Sequence, residues 1–432
     1  MNIDFNTIIG KIKPMHAVNN VPLLGTNEAM HHYVGDAGIP FVRLHDTGGV
    51  YGANRFVDIG IIFRNWDADE YDPDSYDFAF TDWLLTTIDK YKSRIFYRLG
   101  TSIETSQHIK AYRIYPPKDN LKWTKICEKI IAHYNEGWAN GYKLGIEYWE
   151  IWNEPDNFPD IKDNCMWKGT FEEYLELYKV CSVYLKKRFP DIKIGGYSSC
   201  GFYSLFPESF VAAANSTDRI DYFTECFHKF MSFVRENNLP LDFFSWHSYS
   251  DVAKNIEYER YVNKHLSEYG YENTESILNE WNPGIERRGT LADSAYVSEM
   301  MLRMQNTTCD MLMYYNGDIN GSYNGLYNPI TKEPFWAYYS VKAFGELYKM
   351  GNQVKVTGVP SKISCVGAVG YGKYAIVLTN TGNKKSIKIN CNVKNEFEIY
   401  RINKKSYLDF DRKTDLTDEI TIGKYETVLI IG

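Results

Sequence analysis

Long apolar runs, paired cysteines and a basic stripe are all missing from this 432-residue sequence, and each absence removes a class of function. No uninterrupted apolar stretch approaches the ~20 residues that span a bilayer, so a membrane-embedded helix is not expected. The opening residues, "MNIDFNTIIGKIKP", lack a basic leader followed by an apolar core, which predicts a cytoplasmic protein. The eight cysteines, Cys127, Cys165, Cys181, Cys200, Cys226, Cys309, Cys365 and Cys391, form no C-x-x-C pair and no cluster with histidine at metal-ligand spacing. They read as reduced and mostly buried, and no metal or other cofactor is expected. A net charge of -7 without clustered Lys and Arg argues against nucleic acid as a partner and suits a neutral substrate. A Gly-rich nucleotide turn early in the chain is also absent, which disfavours an open doubly wound dinucleotide fold.

Aromatic residues are plentiful: 35 Tyr, 23 Phe and 10 Trp. Rings with a polar edge or tip suit surfaces that are apolar and hydrogen-bonding at once, and sugar clefts are one such surface. Eight short segments rich in β-branched and aromatic residues each end in polar residues: "KPMHAVNN", "FVRLHD", "RIFYRLG", "IEYWEIWNE", "IKIGGYSS", "DFFSWHSY", "SILNEWN" and "DMLMYYNGD". Between most of them lie helical patterns. In "TFEEYLELYKVCSVYLKKRFP", Phe171, Tyr174, Leu175, Tyr178, Cys181 and Leu185 share one face, and Pro190 follows the end. "DYFTECFHKFMSFVRENNLP" repeats the design with Phe223, Cys226, Phe227, Phe230 and Val234. Strands alternating with helices imply parallel strands under helical cover, and eight such units predict a closed (β/α)₈ TIM barrel over residues 13–345. From residue 346 to 432 the pattern changes to short alternating strands split by Gly, Asn and Lys turns, which predicts an accessory β-sandwich, with residues 1–12 assigned to it as well.

In a barrel of this kind the chemistry gathers at the C-terminal strand ends. Glu154 ends the fourth predicted strand and Glu280 the seventh, each directly after an asparagine, Asn153 and Asn279. Strands four and seven lie on opposite sides of an eight-stranded mouth, so the two carboxylates are expected to face each other. Retaining hydrolysis of a glycosidic bond needs such a pair, one to protonate the leaving oxygen and one to attack the anomeric carbon. Either glutamate alone is explained as well by a strand-ending turn or a surface carboxylate. The repeated Asn-Glu at two facing strand ends favours the functional reading.

These residues resemble a known family. "WNEPD" with a later "LNEW" is similar to the clan A glycoside hydrolases. "KPMHAVNN", "FVRLHD", "WEIWNEPD", "WHSY" and "LYNPITKEPFWAYYSVKAFGEL", in that order, resemble glycoside hydrolase family 39, the family of β-xylosidases and α-L-iduronidases. The resemblance implies Glu154 as acid/base, Glu280 as nucleophile, Asn153 as the partner of a sugar 2-hydroxyl, and Tyr249 as a hydrogen-bond partner of the nucleophile. Alternation in "WHSY" points His247 the same way as Tyr249, and Arg43 and His45, which share one face of the second strand, match polar residues at the family's sugar-binding floor, with a structural Arg inside the barrel a near-equal alternative. Two departures limit the transfer: Asp156 stands where the family more often has Asn, and the eighth strand lacks a tryptophan, leaving Tyr314 or Tyr315 as its platform. Trp66, Trp246, Trp281 and Trp336 are further candidates to stack on sugar, each of which would serve equally in a core.

The expected activity is exo-acting, retaining cleavage of β-linked sugars, β-xylosides first, from short oligosaccharides or small glycosides. Other sugar specificities remain open, including β-galactoside, α-L-arabinoside and α-L-iduronide. The last would need a cation, and Arg43, Arg98, Arg287 and Arg288 are available. A metal-dependent sugar isomerase and an inactive carbohydrate-binding protein are the alternatives of another class. A homo-oligomer is compatible with this architecture, and no segment identifies its interface.

Overall fold

The computed structural model describes residues 1–22, 30–47, 57–102, 114–319 and 324–432. After a first strand, β1 (Asn2–Lys11), eight strands close into a barrel: β2 (Ala17–Asn19), β3 (Phe41–Leu44), β4 (Arg94–Leu99), β5 (Tyr148–Ile151), β6 (Lys193–Ser199), β7 (Phe243–Ser248), β8 (Glu275–Trp281) and β9 (Met311–Tyr314). Seven fall within the segments read from the sequence, and β8 begins one residue ahead of its segment, at Glu275. Neighbours pair in parallel in chain order, and β9 returns to β2.

Alternation along the strands sorts their side chains into layers. Ala17, Phe41, Phe96, Tyr148, Phe243, Ile277, Met311 and Met313 form an apolar plug inside the N-terminal end of the barrel. Two residues further along several of these strands the inward positions turn polar: Arg43, Arg98, Glu150, Ser245 and Asn279, all buried. The hydrophobic plug therefore seals one end and leaves the chemistry at the other. Outside, the helix Phe171–Arg188 begins with a reciprocal Thr170–Glu173 capping box and buries the apolar face anticipated from its spacing. The helix Thr217–Glu236 does the same with Phe223, Cys226, Phe227, Phe230 and Val234.

The C-terminal residues build an eight-stranded sheet in which β1 pairs antiparallel with β10 (Asn352–Thr357). Asn390–Cys391 pairs in parallel with β1 at one edge, and from β10 the sheet continues through β11 (Ile363–Gly370), β12 (Lys373–Asn380), Thr427–Ile431, Phe397–Asn403 and Ser406–Thr414. A two-stranded ribbon, Lys385–Ile387 with Ile420–Ile422, joins a core with Ile3, Val354, Ile376, Leu378, Ile399, Val428 and Ile430. Sheet residues of the opposite alternation, Val366, Ala368, Ala375, Val377 and Leu429, join the barrel's own core. Sheet and barrel are thus fused through apolar packing. Among the described residues, no helix is long and apolar enough to cross a membrane.

Candidate active site

Two local breaks in strand geometry place the glutamates. On β8, Ile277 and Asn279 point inward by ordinary alternation, and Glu280 should then point out. A register shift against β7 intervenes: Trp246 opposes Leu278, but His247 opposes Glu280. This one-residue bulge turns Asn279 and Glu280 inward together and sends Trp281 outward against Tyr314. Beyond β5, Trp152 (φ 73°) and Glu154 (φ 48°) both adopt left-handed backbone, a conformation that costs non-glycine residues about 1–3 kcal/mol each. The kink is held by Trp152 N–H donating to Leu99 O (2.7 Å) and by Glu154 N–H donating to Tyr197 O and Ser198 O (3.2 Å each). Asn20, Asp46 and Ser198 share the left-handed conformation at neighbouring strand ends. These five, Trp152 and Glu154 included, place part of the chain's backbone strain at the mouth.

One oxygen of Glu154, a ring nitrogen of His247 and one oxygen of Glu280 lie within 4.8 Å of one another. His247 Nδ1 is 2.7 Å from Glu154 Oε1, and its Nε2 is 3.5 Å from Glu280 Oε1. Glu280 also accepts from Arg43 Nη1 (2.8 Å) and from the Tyr249 hydroxyl (2.7 Å), while Asn157 Nδ2 donates to Glu154 Oε2 (2.8 Å). Burial raises Glu280 above the usual carboxylate value, against the pull of the His247 and Arg43 charges and the Tyr249 hydrogen bond. Burial acts the same way on Glu154, but there the His247 hydrogen bond and charge outweigh it and hold the carboxyl below its usual value. His247 is raised in turn: its burial is overcome by the Glu280 charge and by the hydrogen bond and charge of Glu154. The three groups form one protonic unit. Their donor set could also ligate a divalent ion, although Glu280 Oε1 already receives the Arg43 guanidinium.

Arg43 lies beneath the cleft rather than in it. Nε donates to Glu150 Oε2, Nη1 to Asn19 Oδ1 and Glu280 Oε1, and Nη2 to Asn153 Oδ1 and Ser198 Oγ, at 2.6–2.9 Å. Those bonds use all five guanidinium N–H groups, so Arg43 orients Glu280 and Asn153 and has no donor left for a ligand. Because Asn153 gives its carbonyl oxygen to Arg43, its Nδ2 is left to donate in the cleft. Glu150, which the sequence reading missed, is the counter-charge, and it also accepts from Ser198 Oγ and Asn279 Nδ2 (2.6 Å each). Arg43→Met should destabilise the fold by about 3–5 kcal/mol, because Glu150 and Glu280 would remain buried without their cation. Urea unfolding measures this, and a loss below ~1 kcal/mol would contradict it.

His45 is held neutral: burial and the charges of Arg43 and Arg98 push its pKa well down. Its Nδ1 accepts from Arg98 Nε (3.1 Å), so Nε2 carries the proton, 3.2 Å from Asp46 Oδ2 and 3.6 Å from Glu280 Oε1. The Tyr315 hydroxyl donates to the same Asp46 oxygen (3.1 Å).

The cleft has a volume of about 450 Å³, and His45, Asn153, Glu154, Tyr249, Glu280 and Tyr315 line it. His247 and Arg43 sit behind them. Trp281 and Trp336 are not brought into the cleft. Trp281 packs against Tyr314 and Tyr296 because the bulge reverses its direction, and Trp336 stacks on Tyr407 of the C-terminal sheet at 5.2 Å. Trp246 is core, with its indole N–H on Ser276 Oγ, and Trp66 lines a separate pocket. Of the four arginines considered for a substrate carboxylate, none lines the cleft. Arg98 is paired with buried Asp58 (2.7 Å), and Arg287 lies over the Tyr296 ring. The sequence reading overlooked the second wall, made by Asn157, Phe158, Cys165, Asn215, Arg219 and Phe223.

Asp156 points away from the cleft, accepting from Ser199 Oγ (3.1 Å) and Cys200 N–H (3.2 Å). Burial and the nearby Glu154 charge raise its pKa from an ordinary 3.8 to about 7. Between those values the native carboxyl keeps a proton that the unfolded chain has lost, so stability falls as pH rises from about 4 to about 7 and levels off above. Asp156→Asn, neutral throughout, should gain Tm relative to wild type across that interval. Parallel Tm profiles at pH 4.5, 6 and 7.5 would refute the assignment.

Fold and site together define a (β/α)₈-barrel protein with a paired-carboxylate cleft at its C-terminal face. The family model for glycosyl hydrolases family 39 matches residues 36–280, and the chain belongs to that family. Curated relatives include a β-xylosidase of Caldicellulosiruptor saccharolyticus, 28% identical over 156 residues (36% of this chain, 26% of the relative). A β-xylosidase of Geobacillus stearothermophilus is 26% identical over 215 residues (46% of this chain, 36% of the relative). The matches thus span only about a quarter to a third of the relatives' lengths. Among solved structures, a glucosidase from Croceicoccus marinus superposes with a TM-score of 0.78 at 16% identity, covering 100% of this chain and 97% of the other. A family 39 β-xylosidase from Caulobacter crescentus gives 0.70 at 15% identity, covering 100% and 98%. At such identities the likeness is one of fold.

Proposed function

We propose that this chain is a retaining, exo-acting glycoside hydrolase for short oligosaccharides or small β-glycosides, with β-xylosides the first class to test. The observation that carries the reading is the approach of Glu154 and Glu280 across the mouth, with one oxygen from each within 4.8 Å. Retaining enzymes hold their carboxyl groups roughly 5–5.5 Å apart, whereas inverting ones leave roughly 6.5–9.5 Å for a water molecule. The preference for xylosides rests on the named relatives.

Glu280, held by Arg43 and Tyr249, attacks the anomeric carbon and forms a glycosyl ester. Glu154 gives its proton to the departing oxygen, then takes one from the water that cleaves the ester and returns both carboxyls to their starting states. In the free site the His247 ion pair keeps Glu154 charged. Its protonation is then a shift of one proton along a 2.7 Å hydrogen bond. Asn153 Nδ2 is placed to donate to a sugar hydroxyl, and His45 Nε2–H supplies a second donor. No step needs a cofactor.

The test is hydrolysis of aryl β-xyloside, β-galactoside, β-glucoside, α-arabinoside and iduronide, with and without EDTA, following the first-formed anomer by NMR. Cleavage with retention, unaffected by EDTA, is expected for at least one sugar. Inversion, or loss of turnover on chelation, would defeat the mechanism; the latter would favour a metal held by Glu154, His247 and Glu280. Failure on every sugar would leave the cleft as a binding site.

A further inference from the structure

Arg219 supplies the one Arg or Lys side chain among the described residues that line the cleft. It projects from the first turn of the helix Thr217–Glu236 and is half-buried. Its Nε donates to Asn157 O (2.8 Å), Nη1 to Asn215 Oδ1 (2.7 Å) and Nη2 weakly to Asn157 Oδ1 (3.4 Å). One face of the guanidinium lies 3.8 Å from the Phe158 ring centroid. Every partner is neutral, and no ion pair joins Arg219 to a carboxylate of the described residues. A cation held this firmly by four contacts has already lost much of its rotamer freedom, yet among the described residues no carboxylate pairs with it and two of its five N–H groups are unspent.

Its position specifies which part of a ligand it meets. Asn157, which Arg219 grips, donates to Glu154 Oε2, while Glu154 Oε1 faces His247 and Glu280. Arg219 therefore stands beyond the acid/base on the side away from the nucleophile, where a leaving group departs. A fixed guanidinium with two free donors matches a planar carboxylate better than a hydroxyl. We infer that Arg219, with Phe158 and Asn215, forms a leaving-group subsite selective for aglycones that carry a carboxylate, such as a uronic acid or an aryl carboxylate. The inference rests on the hydrolase reading above and extends it to the substrate's second half.

The comparison is between 4-carboxyphenyl and 4-carbamoylphenyl glycosides of whichever sugar is cleaved. The carbamoyl phenol is the better leaving group, so intrinsic reactivity works against the expected result. Wild type should favour the carboxylate about tenfold in kcat/KM, and that preference should shrink with added salt. Arg219→Gln should bring the ratio close to one, and Arg219→Lys should keep part of it. If Arg219→Gln slows both substrates alike, the residue only anchors Asn157 and the subsite does not exist. Calorimetric titration with 4-hydroxybenzoate and 4-hydroxybenzamide repeats the comparison without turnover. A benzoate preference lost in Arg219→Gln, in a protein that cleaves nothing, would remove the hydrolase reading and leave the anion subsite standing. Equal affinities would remove the subsite whatever the activity.

Discussion

Glu280→Ala should hydrolyse the preferred aryl glycoside at least about a thousandfold more slowly than wild type, and azide should restore turnover as a glycosyl azide of inverted configuration. The expectation follows from what surrounds this carboxylate. Arg43 and Tyr249 each donate to it, so its orientation is fixed before any substrate arrives. Removing the side chain deletes the covalent intermediate and opens a space beside the anomeric carbon that a small anion can enter. That anion attacks from the face Glu280 would have used, and the product, never displaced a second time, keeps the inverted configuration. Unchanged activity in Glu280→Ala would reject the nucleophile, and an azide product of retained configuration would reassign the residue to acid/base work. The substitution also releases Arg43 from one partner, so folding of the variant should be verified by circular dichroism before the rate is read.

Much of this was legible in the sequence because barrel strands announce themselves. Each combines an apolar run with a polar end, and parallel pairing in chain order then fixes which ends meet. The Asn-Glu pairs at the ends of β5 and β8 were visible for the same reason. What period alone could not supply was direction. Alternation from Ile277 puts Glu280 outside the barrel, and the bulge that reverses it is a pairing property with no local signature. The same bulge explains why Trp281 is core. Arg43 looked like a sugar contact because it is polar and inward-facing; that its five donors are all consumed depends on Asn19, Glu150, Asn153, Ser198 and Glu280, which come from four different strands or their ends. Arg219 was invisible for a different reason. On an amphipathic helix, a charged residue off the apolar face is the ordinary solvent-facing choice, and only tertiary placement beside Asn157 sets it apart.

Glu154→Ala should show a loss that depends on the leaving group: about a thousandfold or more for a poorly acidic phenol or a sugar, and much less in the first step for a dinitrophenol, which needs no proton to depart. The reason is the double duty proposed for this residue. With an activated aglycone the glycosyl ester at Glu280 forms quickly, but the water that should cleave it has lost its base, so the ester accumulates and a pre-steady-state burst appears. Azide should speed that second step and give a product of retained configuration, the opposite stereochemistry to the Glu280→Ala rescue. The pH profile offers an independent reading. Glu154 is tied to His247 at 2.7 Å, and the acid limb and alkaline limb of kcat/KM belong to the coupled group rather than to either glutamate alone. In Glu154→Ala the alkaline limb should vanish for the dinitrophenyl glycoside, since no general acid remains to be lost, while the limb set by ionisation of Glu280 should persist. A uniform loss across leaving groups, with both limbs retained, would mean that Glu154 only shapes the cleft and that the proton comes from elsewhere.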